Sequence, residues 1–135
     1  RTRAAAVIID TSAIIAILFQ EPDAPRLATA LAAAESRRMS AATLVEATIV
    51  VEVQTRGRGG SQLDALLRAA AIQIEPVTAE QALVARQAFL DYGKGRHRAA
   101  LNFGDCFPYA LAKITGEPLL FKGEDFAKTD IAIVS

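Results

Sequence analysis

"VIIDTSAII" (residues 7–15) sets one aspartate between two apolar runs. Val7, Ile8 and Ile9 have the β-branched character of a short buried strand, read over 6–9 as "AVII". "TSAIIAILFQ" (11–20) follows at once and reads as a helix, with Thr11 or Ser12 as its N-cap. Asp10 stands at the junction, where both neighbouring segments want to be inside. A lone carboxylate is costly there unless something compensates its charge.

The rest of the chain continues the same alternation. "PDAPRLATALAAAE" (22–35) is a second helix opened by a Pro/Asp signal, and "RRMSA" (37–41) reads as a short edge strand. A helix is expected from Ala42 to Arg56, stopped by the glycines of 57–60, and "SQLDALLRAAA" (61–71) continues helical. "IQIEPV" (72–77) is a strand, and "TAEQALVARQAFLDYG" (78–93) is a helix with a Thr-x-x-Gln capping pattern. After the basic connector "KGRHRAALN" (94–102) comes a helix over 103–116, closed by Gly116. Pro108 falls inside it, where it would remove one hydrogen bond and bend the turn next to Asp105. "EPLLF" (117–121) and "IAIV" (131–134) read as the last two strands. Strands separated by helices throughout predict an α/β/α sandwich with a mainly parallel central sheet.

Composition narrows the class. At 135 residues with 52% hydrophobic content, the chain reads as a single domain over 1–135 with a full core, residues 1–6 being expected to fray. No apolar run approaches the roughly 18 residues of a membrane helix, and no leader is evident, so a cytoplasmic protein with no membrane partner is expected. One cysteine (Cys106) and one histidine (His97) exclude an internal disulfide and a Cys/His zinc site, so any metal must be held by oxygen. Fifteen basic residues balance fifteen acidic ones, so a polyanionic partner would depend on local patches.

Four acids stand out. In open parallel sheets functional groups gather at the carboxyl ends of the strands. Asp10 follows the first strand, and Asp125 follows the strand 117–121. Asp105 lies in the first turn of the expected 103–116 helix, where the dipole favours a carboxylate. Read singly, Asp105 is a capping residue and Asp125 a loop acid. Glu46 shares a helical face with Ile49, Val50 and Val53, so it is expected on the core side, held there by a partner arginine or by coordination. Converging at one end of the sheet, four carboxylates need protons or cations. An all-oxygen donor set suits Mg²⁺ or Mn²⁺, and a hard cation so held activates water against a phosphodiester. Ser12 is placed to orient a water or phosphate oxygen, or to cap its helix. His97 reads as a substrate contact or as a plain loop residue, and Cys106 as a small core residue. A positive rim for a polyanion is expected at Lys94, Arg96 and Arg98, with Arg56 and Arg58 as a second candidate.

With these residues in place, the chain resembles the PIN-domain ribonucleases, and within them the VapC-type toxins of prokaryotic toxin–antitoxin pairs. The likeness rests on "VIIDTSAIIAIL", "SAATLVEATIVVE", "YGKGRHRAALNFGDCFPYALAK" and "PLLFKGEDFAKTDI", which span Val7 to Ile131. The resemblance implies a PIN fold, a Mg²⁺- or Mn²⁺-dependent endoribonuclease, a homodimer and a VapB-type antitoxin that blocks the site. It implies that Asp10, Glu46, Asp105 and Asp125 form the acidic quartet, with Asp10 and Asp105 as direct metal ligands. Two other readings compete: a catalytically silent PIN-fold module that binds RNA or protein, and a phosphoacceptor receiver domain. The receiver reading needs an acidic pair after the first strand, and "IIDTS" offers one acid.

Overall fold

A computed structural model describes residues 6–134. Residues 1–5, most of the stretch expected to fray, lie outside the described residues, and Ala6 is already the buried first residue of a strand. Four strands, β1 (Ala6–Ile9), β2 (Ser36–Ser40), β3 (Ile72–Glu75) and β4 (Leu119–Leu120), pair in parallel in the order β3-β2-β1-β4. β1 is central, and its side chains alternate between two cores. Val7 and Ile9 pack with Ile14, Leu27, Met39, Val51 and Leu63, whereas Ile8 packs with Ala88, Leu101, Tyr109 and Leu119. That two-sided burial is why the strand reads as an unbroken apolar run.

The first core carries four helices, α1 (Thr11–Leu18), α2 (Ala24–Ala33), α3 (Ala41–Thr55) and α4 (Gly60–Ala69). The second carries α5 (Ala79–Tyr92) and α6 (Cys106–Thr115), with the loop residues Leu101, Phe121 and Phe126 filling the space beneath them. The expected α/β/α sandwich with a parallel sheet is therefore the observed architecture. No helix among the described residues is long and apolar enough to cross a membrane.

Four local expectations need correction. The stretch read as an edge strand, 37–41, is instead the interior strand β2. Its arginines are accommodated because each is fully engaged. Arg37 donates to the carbonyls of Leu31, Ala32, Ala34 and Ala70, and Arg38 reaches Glu117 at 2.6 Å and Glu75 at 3.7 Å. Residues 131–134 form no full strand. They cover the outer side of β4 through a bridge at Ile133 and two backbone bonds at Leu119, because β4 itself is only two residues long.

The helix expected from residue 103 starts at Cys106, which puts Pro108 in its first turn, where backbone N–H groups have no intrahelical acceptor. Pro108 therefore removes no hydrogen bond from α6. Finally, the Glu46 side of α3 faces the core only in part. Val50 is half-buried and packs on the core, and Glu46 itself is half-buried, but Ile49 and Val53 are 57% and 73% exposed. Periodicity locates a face but not its direction. Here Thr43, Ala47 and Val51 sit inward, and Val45, Ile49 and Val53 form an outward row.

Candidate active site

Asp10 is the residue where β1 becomes α1. It is only 4% exposed, and it caps the helix itself: its Oδ2 accepts from the Ser12 N–H at 3.0 Å and the Ser12 hydroxyl at 2.6 Å. Thr11 or Ser12 was expected in that role. The helix N-terminus is thus the first compensation for a carboxylate between apolar segments. Ser12 also accepts from the Lys122 N–H at 2.9 Å, which ties α1 to the loop after β4. Its hydroxyl thus donates once and accepts once within the protein.

Glu46 comes from the second turn of α3, which starts directly after β2 and is capped by Ser40. Its Oε1 accepts from the buried Thr11 hydroxyl at 2.6 Å, so Thr11 orients the carboxylate that lies next to Asp10. Asp105 precedes α6 and is locked to Asn102 in both directions. The Asn102 N–H donates to Asp105 Oδ2 at 3.0 Å, and the Asp105 N–H donates to Asn102 Oδ1 at 2.9 Å. Asp125 is exposed and stands before a 3-10 turn (Phe126–Lys128), which buried Phe126 anchors against Phe121. No arginine pairs with any of the four acids among the described residues.

Electrostatics shows which of them share space. Burial pushes the Asp10 carboxyl up to about 6, opposed by the Ser12 hydrogen bonds and reinforced by the charges of Asp105 and Glu46. Asp105 is also raised, first by burial, then by Glu46 and Asp125, against the Asn102 backbone bond. Asp10, Glu46 and Asp105 therefore lie within electrostatic reach of one another, and Asp125 within reach of Asp105. Among the described residues no three acidic, histidine or cysteine side chains are gathered closely enough to enclose a metal ion. Each of the three inner acids nevertheless keeps one oxygen that accepts no hydrogen bond among the described residues: Asp10 Oδ1, Glu46 Oε2 and Asp105 Oδ1. Oxygen donors carrying unneutralised negative charge are the set that Mg²⁺ or Mn²⁺ accepts.

The basic connector is less uniform than its sequence implies. Lys94 and Arg98 are exposed and form no ion pair among the described residues, whereas the Arg96 guanidinium donates to the Leu90 carbonyl at the end of α5. His97 organises the loop, its Nδ1 accepting from the Ala99 N–H while its ring meets Tyr92 edge-on. Burial, with the Asp105 charge, pushes the Cys106 thiol up to about 11, in keeping with an inert core residue. Sequence reasoning missed Thr11, Asn102 and Gly104 as parts of the site. The signal for Asn102 was present as Asn-x-x-Asp ahead of a helix, a spacing suited to reciprocal capping.

Comparison with known proteins places the chain in a family. Residues 7–132 match the PIN domain family. Ribonuclease VapC30 of Mycobacterium tuberculosis is 54% identical over 129 residues, covering 96% of this chain and 98% of that protein. Among solved structures, the Sarcin-Ricin loop cleaving toxin VapC20 of M. tuberculosis aligns with a TM-score of 0.75 at 19% identity, over 95% of this chain and 98% of that one. VapBC2 of Rickettsia felis, bound to a DNA fragment from its promoter, aligns with a TM-score of 0.70 at 13% identity, over 96% and 97% of the two chains. A match over nearly the whole chain, with the acidic side chains at the carboxyl end of the sheet, means that this chain belongs to the PIN-domain family, in its VapC branch.

Proposed function

We propose that the chain is a metal-dependent endoribonuclease toxin that cuts RNA at the Asp10, Glu46, Asp105 and Asp125 cluster. The observation that carries this reading is the gathering of Asp10, Glu46 and Asp105 at the end of the parallel sheet with no arginine paired to them among the described residues, where burial first, and then the Asp105 and Glu46 charges, push the Asp10 carboxyl up to about 6. The close relationship to a protein called a ribonuclease supports it independently. Asp10 and Asp105 would hold Mg²⁺ or Mn²⁺, with Glu46 and Asp125 completing the negative field. A hard divalent cation at such a site supplies ionisation of a bound water and stabilisation of charge on the phosphate. The protein's own part is positional. Ser12 holds Asp10, Thr11 holds Glu46, and Asn102 holds Asp105. Lys94 and Arg98 offer free cations to the RNA backbone.

Two partners follow. A VapB-type antitoxin silences the site by inserting an arginine, whose guanidinium pairs bidentately with carboxylates. A second copy of the chain covers the apolar surface between α3 and α5. There Phe89, Leu90 and Phe103 flank a groove of about 580 Å³, and Val45 and Ile49 extend the patch along α3. Patches of this kind mark interfaces rather than free surface.

The test is cleavage of single-stranded RNA by the purified protein with Mg²⁺ or Mn²⁺. The Asp10→Asn variant is expected to fall by orders of magnitude while keeping its fold. Unchanged cleavage by this variant, or full activity in excess EDTA, overturns the assignment.

A further inference from the structure

Gly104 stands between the exposed Phe103 and the site acid Asp105, and its backbone does not need to be glycine. Unlike Gly57, Gly95, Gly116 and Gly123, it is not in the left-handed region. What it provides is space. A Cβ built at this position would have its three nearest neighbours in one group, the Glu46 carboxylate, with Cδ at 2.6 Å and Oε1 at 2.9 Å and Oε2 closer still. Contacts between non-bonded heavy atoms settle near 3.5–4.0 Å, roughly, so a methyl group and this carboxylate cannot both be accommodated. The same carboxylate accepts from the Thr11 hydroxyl, at its Oε1, at 2.6 Å.

We propose that Gly104 and Thr11 are positioning residues forming a two-walled socket that fixes the Glu46 carboxylate in the acidic cluster. This rests on the function proposed above. The carboxylate is the free end of a flexible side chain, and an open groove beside it, bordered by Val45, Ile49 and Phe107, gives it somewhere to swing. Gly104→Ala therefore displaces Glu46, breaks its Thr11 bond and leaves the backbone in place. Asp105, tied to Asn102 on both sides, does not follow. A substitution that replaces none of the acids thus reproduces the loss of one from the cluster.

The experiment measures Mn²⁺ affinity by calorimetry alongside RNA cleavage, for wild type, Gly104→Ala, Thr11→Val, Thr11→Ser, Glu46→Gln and the double variant Gly104→Ala with Glu46→Gln. Gly104→Ala and Thr11→Val are expected to weaken Mn²⁺ binding by about 10- to 100-fold, the range for losing a partner that surrounds the metal ligands. Their circular dichroism should match that of wild type. Thr11→Ser keeps the hydroxyl and should restore most of the affinity. In the Glu46→Gln background there is no Glu46 charge left to misplace, so adding Gly104→Ala should change little. Mn²⁺ affinity unaltered by Gly104→Ala, or an equal further loss when it is added to Glu46→Gln, overturns the socket. Should the wild type bind Mn²⁺ without cutting RNA, the ribonuclease reading falls, and the socket is decided by the affinities alone. A wild type that binds no Mn²⁺ overturns both.

Discussion

Asp10 shows how much one side chain sets the behaviour of the site. Its carboxyl is raised from 3.8 to about 6 by burial, so the folded state prefers the proton more than the unfolded chain does. The stability this preference contributes is fully present below pH 3.8 and is lost as pH rises through about 6. The shift of about 2 pKa units corresponds to about 3 kcal/mol. Asp105, also raised, acts in the same direction. The metal-free protein is therefore expected to be less stable at pH 7.5 than these groups alone would leave it at pH 4. Asp10→Asn should stabilise it at pH 7.5 by up to about 3 kcal/mol while having little effect at pH 4. Urea denaturation in EDTA at both pH values checks this, and equal effects at the two would refute it. The same titration predicts that Mn²⁺ affinity falls as pH drops below about 6, because a ligand must lose its proton before it binds.

At the scale of elements, strands and helices were legible from the sequence because alternation and caps are local. The run "AVII" and the Thr78 cap, whose hydroxyl oxygen accepts from the Gln81 N–H, need nothing beyond their own segment. What escaped were the features set by a neighbour. β2 is interior only because β3 pairs outside it, and its arginines look like edge residues until their carbonyl and glutamate partners are known. The Glu46 face of α3 looked like core because a bulky row usually is. Thr11 and Gly104 joined the site only through a contact with residue 46, out of reach of any local pattern. Pro108 separates these two kinds of information cleanly. As a helix-interior proline it would cost about 3 kcal/mol, whereas in the first turn its replacement by alanine is expected to shift stability by less than about 1 kcal/mol. Thermal unfolding of Pro108→Ala decides between them. The outward row on α3 makes a second expectation. Ile49→Arg, at a position 57% exposed, should leave the fold intact and shift a dimer to a monomer in light scattering. An unchanged mass would place the second copy elsewhere.

At the scale of the whole molecule, a chain with fifteen positive and fifteen negative residues has no field to draw in RNA. The acidic cluster repels phosphate until a cation arrives, so affinity must come from an asymmetric rim. Geometry divides the candidates. Arg56 and Arg58 follow the far end of α3, ten residues past Glu46, about 15 Å away along the axis at 1.5 Å per residue. Lys94, Arg96 and Arg98 sit in the loop that leads into Asn102 and Asp105. Of these, Arg96 is committed to the Leu90 carbonyl, which leaves Lys94 and Arg98 for phosphate. Replacing both by Gln should flatten the dependence of log K on log salt by about 1.4, two contacts at roughly 0.7 each for single-stranded RNA. Arg96→Gln should change that slope little and instead loosen the end of α5. Measured on the Asp10→Asn protein, so that RNA survives the titration, a slope that the Lys94 and Arg98 changes leave untouched would show that the RNA enters from another side. A large loss from Arg96→Gln alone would mean that its bond to Leu90 opens when RNA binds.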